Sequence, residues 1–285
     1  MTDNKNNMSK SYILFQVFKY TIYGILFYDL YLFFIDNLQT SETIFAGDVG
    51  LVDYLTVFSD SIDSAAWLLL VIIFELETFI MSDEKLLGFT QWILFFAKAI
   101  CYFFILYAFY GFVDKLSVLL HTTAFKIDDV CQLVNSQYSY LVSLDDYQPI
   151  NNTVCKLLNN QPLVQINGSN IIATQQALIE AQRLAWVDII NSADWILVVI
   201  ILEVDVYLQL RGKLTGKIRK ISTMIKPPLY GILFIDAIYW GIKGGPIDFW
   251  DAFLWLAAFF FIEMNIFEWH NETESERDTM PNESN

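Results

Sequence analysis

Three lysines stand inside apolar runs, and each precedes a tyrosine by four positions: Lys19 and Tyr23, Lys98 and Tyr102, Lys226 and Tyr230. Asp29 and Asp236 follow the first and third lysine by ten positions, and Ala108 stands in that place after Lys98. The text between them recurs as well. Lys19-Tyr-Thr-Ile-Tyr23-Gly24-Ile-Leu-Phe-Tyr-Asp29 matches Lys226-Pro-Pro-Leu-Tyr230-Gly231-Ile-Leu-Phe-Ile-Asp236. A second motif follows each copy at equal intervals. It reads Asp63, Trp67, Glu75, Glu77 and Phe79, then Asn191, Trp195, Glu203, Asp205 and Tyr207, then Asp251, Trp255, Glu263, Asn265 and Phe267.

Ammonium and carboxylate groups in apolar surroundings suit ion pairing, proton relay or cation coordination. A charge near the centre of a membrane span costs on the order of 3 kcal/mol even on a lenient scale. These side chains must therefore face one another, the bundle interior or water. Lys19, Glu75, Glu203 and Glu263 all fall roughly 10 Å from the inner ends of their runs at 1.5 Å per helical residue; Lys226 is shallower and Lys98 deeper. A Lys–Glu layer is available on that basis. A second layer would set Asp29 and Asp236 at the depth of the indoles of Trp67, Trp195 and Trp255; with Ala108 in the aspartate place of the middle repeat, Trp195 would need a different partner. Against the three lysines stand seven acids: Asp29, Glu75, Glu77, Glu203, Asp205, Asp236 and Glu263. The surplus implies that some acids are protonated or that a cation or water file shares the site; alternatively Glu77 and Asp205, close to the inner ends, could reach water. Glu75 and Glu77 occupy opposite helix faces, so both cannot point to the centre. The three repeated tyrosines are read as ordinary packing, and the tryptophans as anchors near the outer interface.

Helices spanning a membrane would have to position this layer. Of 285 residues 55% are apolar and only 17% charged, and the apolar ones gather in blocks near the length a hydrocarbon layer requires. Six stretches qualify, about 12–35, 64–81, 87–113, 193–210, 222–242 and 249–268. The expected fold is an all-α integral membrane protein: six helices as three tandem hairpins in a pseudo-threefold bundle, with a small disulfide-closed extracytoplasmic cap. Residues 1–10 and the acidic tail 269–285 are expected to be disordered. Hairpin 1 covers 11–82. Hairpin 2 covers 83–113 and 190–212, interrupted by the cap and a helix over 114–189. The basic loop and hairpin 3 cover 213–268.

Arg211, Lys213, Lys217, Arg219 and Lys220 form the one dense basic cluster. Short basic loops stay cytoplasmic, which places both termini inside and the 36–62 loop and 114–189 outside. The same cluster could bind anionic lipid. Cys131 and Cys155 fall in the outer segment, where an oxidising compartment favours a disulfide; Cys101 lies within a span and packs. From Ala173 to Trp195 no Gly or Pro interrupts a helical pattern, so one helix should run from the cap into the fourth span. Asn151-Asn152-Thr153 and Asn167-Gly168-Ser169 match the glycosylation pattern.

His occurs only at 121 and 270, both read as outside the spans, which argues against a haem or histidine metal site. No phosphate-binding glycine loop, Cys-x-x-Cys pair or Gly-x-Ser-x-Gly turn is present. The net charge of −15 lies in loops and tail and does not suit nucleic acid. No cofactor and no enzymatic activity is expected. Two functions fit. The first is a channel or transporter for protons or small cations, with Glu75, Glu203 and Glu263 central and the lysines as counter-charges. The second is a non-catalytic membrane subunit or scaffold, whose charged layer holds its own fold, a second copy or a partner's helices.

Overall fold

A computed structural model of the chain describes residues 2–44, 58–81, 86, 88–144, 146–159, 161–214, 216–244 and 246–279. The chain is mostly helical, and it divides into two compact units. The first comprises Met1–Ala108, Asp194–Gly241 and Gly245–Asn285, and the second Phe109–Ala193 with Ile242–Gly244.

Among the described residues, six long helical stretches supply the first unit. They are α1 (Thr2–Ile44), α2 (Ser59–Glu75) continued by a π-helical turn (Leu76–Ile80), α3 (Phe89–Leu120), α5 (Gln175–Leu210), α6 (Gly216–Lys243) and α7 (Pro246–Thr279). The short α4 (Val154–Leu158) belongs to the second unit. Five of the stretches are long and apolar enough to cross a membrane: Tyr12–Ile35 of α1, α3, α5, α6 and Phe249–Asn271 of α7. That is the pattern of a multi-pass membrane protein. The stretch expected at 64–81 is not one of the five. Its α-helix has 17 residues before the widened π-turn takes over. α1 begins at Thr2 and α7 ends at Thr279, so both are longer than the runs read from sequence. The turn at 82–85 and the middle of the 36–62 loop lie outside the described residues.

The exposed faces of these helices are themselves apolar. On α3, Phe89, Trp92, Phe96, Phe103 and Tyr110 are all well exposed, as expected where lipid rather than water is the solvent. The core forms around α2, whose Leu70, Val71 and Phe74 are fully buried against Cys101 and Ile105 of α3, Val198 and Leu202 of α5, Leu233 of α6 and Phe259 and Ile262 of α7. α1 packs on α2 and α7 through Ile22, Leu26, Leu68, Ala258 and Phe261. Pro227 and Pro228 lie well inside α6 rather than in its first turn. A proline there has no N–H to donate, so the helix lacks two backbone bonds beside Lys226.

The second unit corrects the all-α expectation, because it contains a five-stranded sheet in the order β1-β4-β5-β2-β3. The strands are β1 (Thr122–Phe125), β2 (Ser139–Ser143), β3 (Asp146–Pro149), β4 (Leu163–Ile166) and β5 (Ile171–Thr174). All neighbours are antiparallel except β2 and β5. Asn167-Gly168, met in the sequence only as a glycosylation triplet, makes the β4–β5 turn with Gly168 at φ 76°. A glycine reaches that region without a Cβ penalty. The expected disulfide joins Cys131, in a 3-10 turn (Val130–Leu133), to Cys155 in the short helix α4 (Val154–Leu158). Val130, Ile150, Leu158, Leu163 and Ile172 pack around it. Beyond β5, α5 runs uninterrupted from Gln175 to Leu210, as the absence of Gly and Pro predicts.

Candidate functional site: a circuit of intramembrane ion pairs

Lys19, Lys98 and Lys226 are all buried or nearly so, and each meets the glutamate of the same sequence interval. Lys19 Nζ donates to Glu75 Oε1 at 2.6 Å, Lys98 Nζ to Glu203 Oε2 at 2.8 Å and Lys226 Nζ to Glu263 Oε2 at 2.6 Å. The tyrosine four residues on lies on the same helix face and donates to the same carboxylate. Tyr23 reaches Glu75 at 3.2 Å, Tyr102 reaches Glu203 at 2.6 Å and Tyr230 reaches Glu263 at 3.3 Å. The three rings pack against the core, as read from the sequence, and their hydroxyls add these bonds. The i, i+4 spacing from each lysine is the signal that identifies them.

A correction concerns the residues two places after each glutamate. Glu77 and Asp205 do not reach water; both are buried and each meets a lysine of another helix. Both oxygens of Glu77 lie 3.1 Å from Lys98 Nζ. Asp205 Oδ2 lies 2.7 Å from Lys226 Nζ and accepts from Ser222 Oγ at 2.6 Å. Asn265, in the corresponding place on α7, donates from Nδ2 to Glu75 Oε2 at 2.7 Å, and its Oδ1 lies 3.5 Å from Lys19 Nζ. Residues two apart on a helix point about 200° from one another. Each of α2, α5 and α7 therefore holds one lysine-bearing helix on either side. Contacts run from α1 to α2, α3, α5, α6 and α7 and back to α2 and α1. The circuit closes through the 2.7 Å Asn265–Glu75 bond, the Lys19 contact being at the limit for a hydrogen bond.

The clusters differ in charge, and burial follows that difference. Lys19 faces one carboxylate and one amide, formally neutral, and the side chains of Lys19 and Glu75 are 0% and 5% exposed. Lys98 faces Glu77 and Glu203, and Lys226 faces Asp205 and Glu263, a formal charge of −1 each. Glu203 is 27% and Glu263 20% exposed. Removing charges from water is tolerated only where partners compensate them, and the neutral cluster is the dry one. Lys19 Nζ also lies 4.1 Å from the centre of the Phe79 ring, a cation–π contact in the same dry site.

Around the Lys98 cluster the helices leave a cavity of about 260 Å³, lined among others by Glu77, Gln91, Lys98, Tyr102, Glu203 and Tyr207. The tryptophans expected in a second layer pack on one another and on the core. Trp67 and Trp195 have ring centroids 6.1 Å apart, and Trp195 lies 4.8 Å from Phe259; Trp255 packs at the margin of the same core. Asp29 is part-buried and Asp236 buried. Asp194, not among the residues singled out from sequence, is also buried; among the described residues neither of its carboxylate oxygens has a hydrogen-bond partner. Its position three residues after Asn191, on the same helix face, was the available signal.

His270 is buried rather than peripheral, with Nδ1 3.0 Å from Gln209 Oε1. Among the described residues no group of three His, Cys, Asp or Glu side chains is arranged to hold a metal ion. In the basic loop, Arg211 stacks over the Tyr207 ring at 4.3 Å. Outside the spans, Asp129 Oδ1 accepts from Asn159 Nδ2 at 3.0 Å and from Cys131 N at 2.9 Å. Those two bonds hold its carboxyl below the ordinary range. No protein-family model, no curated protein and no solved structure matches this chain.

Proposed function

We propose that this chain is a six-span membrane scaffold or non-catalytic subunit, built as three tandem helical hairpins. Its lysine–carboxylate circuit is the seam that fixes their order and register. One observation carries the reading: every lysine of the layer meets side chains from two other helices, and the pairs continue from helix to helix until they close. An ammonium at 2.6 Å from its own carboxylate contributes to holding helices together more readily than to passing an ion. The basic cluster Arg211–Lys220 argues for both termini on the cytoplasmic side and offers positive charge to anionic headgroups. The Cys131–Cys155 bridge argues for the second unit on the oxidising side.

Conduction of protons or small cations is the second reading. It is favoured by the surplus of the circuit, in which five carboxylates (Glu75, Glu77, Glu203, Asp205 and Glu263) stand against three lysines. Reconstitution into liposomes carrying a pH-sensitive dye separates the two. The scaffold reading expects no proton or potassium flux from the intact protein, and a loss of thermal stability in Glu75→Gln. Flux that Glu75→Gln or Glu263→Gln abolishes while folding persists would overturn it in favour of conduction.

A further inference from the structure

We infer that the cavity beside Lys98 is a binding site for a primary ammonium group carried on a short apolar stem. It rests on the membrane placement proposed above and not on the scaffold role.

The charge of the site selects a cation. Lys98 is met by two carboxylates, Glu77 and Glu203, which leaves a formal −1 at the cavity wall. A cation placed beside Glu77 and Glu203 would offset that charge. A carboxylate has about four acceptor positions. Among the described residues Glu77 accepts only from Lys98, and Glu203 only from Lys98 and Tyr102. Acceptor positions therefore remain for the three N–H groups of an incoming ammonium.

The remaining wall excludes the simpler candidates. A divalent metal would need a shell of six to eight oxygen ligands if calcium, or a near-octahedral one if magnesium, more than Glu77 and Glu203 supply beside Lys98. A bare monovalent ion would leave the apolar surface of Leu86 and Val206 unused. An organic ammonium uses both: its charged end against the carboxylates and the Tyr102 ring face, its stem against the apolar side. The volume of about 260 Å³ lies just below the range of small-ligand pockets, roughly 300–1,000 Å³. Two sources could supply this chemistry, the ethanolamine headgroup of a membrane lipid or a small soluble amine.

Full-length protein, delipidated in detergent, would be titrated with n-butylammonium and, separately, with butyrate at constant ionic strength and pH, binding being read by saturation-transfer NMR. The expected result is saturable binding of the amine and none of the acid. Ala99→Trp, which fills the cavity from a lining position outside the ion pairs, should abolish that binding. Gln91→Leu is a second variant that touches no ion pair, and it should weaken binding about tenfold through loss of one polar contact to a charged group. In nanodiscs, selective retention of phosphatidylethanolamine over phosphatidylcholine assigns the site to lipid, and equal retention assigns it to a soluble amine. Absence of saturable amine binding, binding matched by butyrate, or binding unchanged in folded Ala99→Trp and Gln91→Leu would each overturn the inference. None of those outcomes bears on whether the circuit holds the helices together, which stability of the Lys19 and Glu75 variants reports separately.

Discussion

Asn265 Nδ2 lies 2.7 Å from Glu75 Oε2 across 190 residues of sequence. In the other two clusters the corresponding place belongs to a carboxylate, Glu77 or Asp205. The amide serves where the lysine and glutamate side chains are 0% and 5% exposed, and it supplies the bond by which α7 closes onto α2.

Replacing that amide by an acid puts the idea at risk. Asn265→Asp sets a second carboxylate beside Glu75 and removes the donor that Glu75 accepts from. An uncompensated buried charge costs several kcal/mol, so the thermal midpoint in detergent should fall by many degrees. Asn265→Leu should lower it less. An unchanged midpoint for Asn265→Asp would show that this cluster does not need its neutrality.

The Lys19–Glu75 pair should behave as a unit. Removing one partner of a buried pair costs about 3–5 kcal/mol, whereas replacing both by apolar residues is often neutral. Lys19→Met alone should therefore destabilise strongly, and adding Glu75→Leu should recover part of the loss. Recovery will be incomplete, because Tyr20, Tyr23 and Asn265 also donate to Glu75. Additive losses in the double variant would mean that the two side chains do not interact.

In the second unit the disulfide closes a loop of sequence separation 24. Removing a native bridge of this kind typically costs about 2–5 kcal/mol. Cys131→Ser with Cys155→Ser should make the sheet region susceptible to limited proteolysis at temperatures where the wild type resists. Equal resistance in the two proteins would show that packing of Val130, Leu158 and Ile172 alone suffices.

Acidification should loosen the same region. The folded Asp129 carboxyl sits below its ordinary value because Asn159 and the Cys131 amide hydrogen-bond to its charged form. A depressed folded pKa gives stability that is present above the unfolded value, near 4, and lost as pH falls through the folded one. Protease resistance of the second unit should fall over that acidic window, and Asp129→Asn should flatten the dependence. A variant with the wild-type pH profile would remove Asp129 from the explanation.

Much of the site was legible in the sequence because its signals are local. Charged residues inside apolar runs must find partners, and equal spacings put Lys19, Lys98 and Lys226 at heights comparable with Glu75, Glu203 and Glu263. The disulfide and the unbroken helix Gln175–Leu210 followed from residue types in the same way. The sheet did not, since its strands have four or five residues and little room for a period to declare itself.

What only the tertiary structure decided is which side chain each helix face meets. Glu77 and Asp205 look like residues near a helix end that could reach water. They become buried partners because the face opposite each glutamate packs against another lysine-bearing helix. The neutral Asn265 at the third such position was visible as a departure from pattern, but its reason was not. Burial depends on how helices pack rather than on spacing along any one of them, and burial sets how much negative charge each lysine can balance.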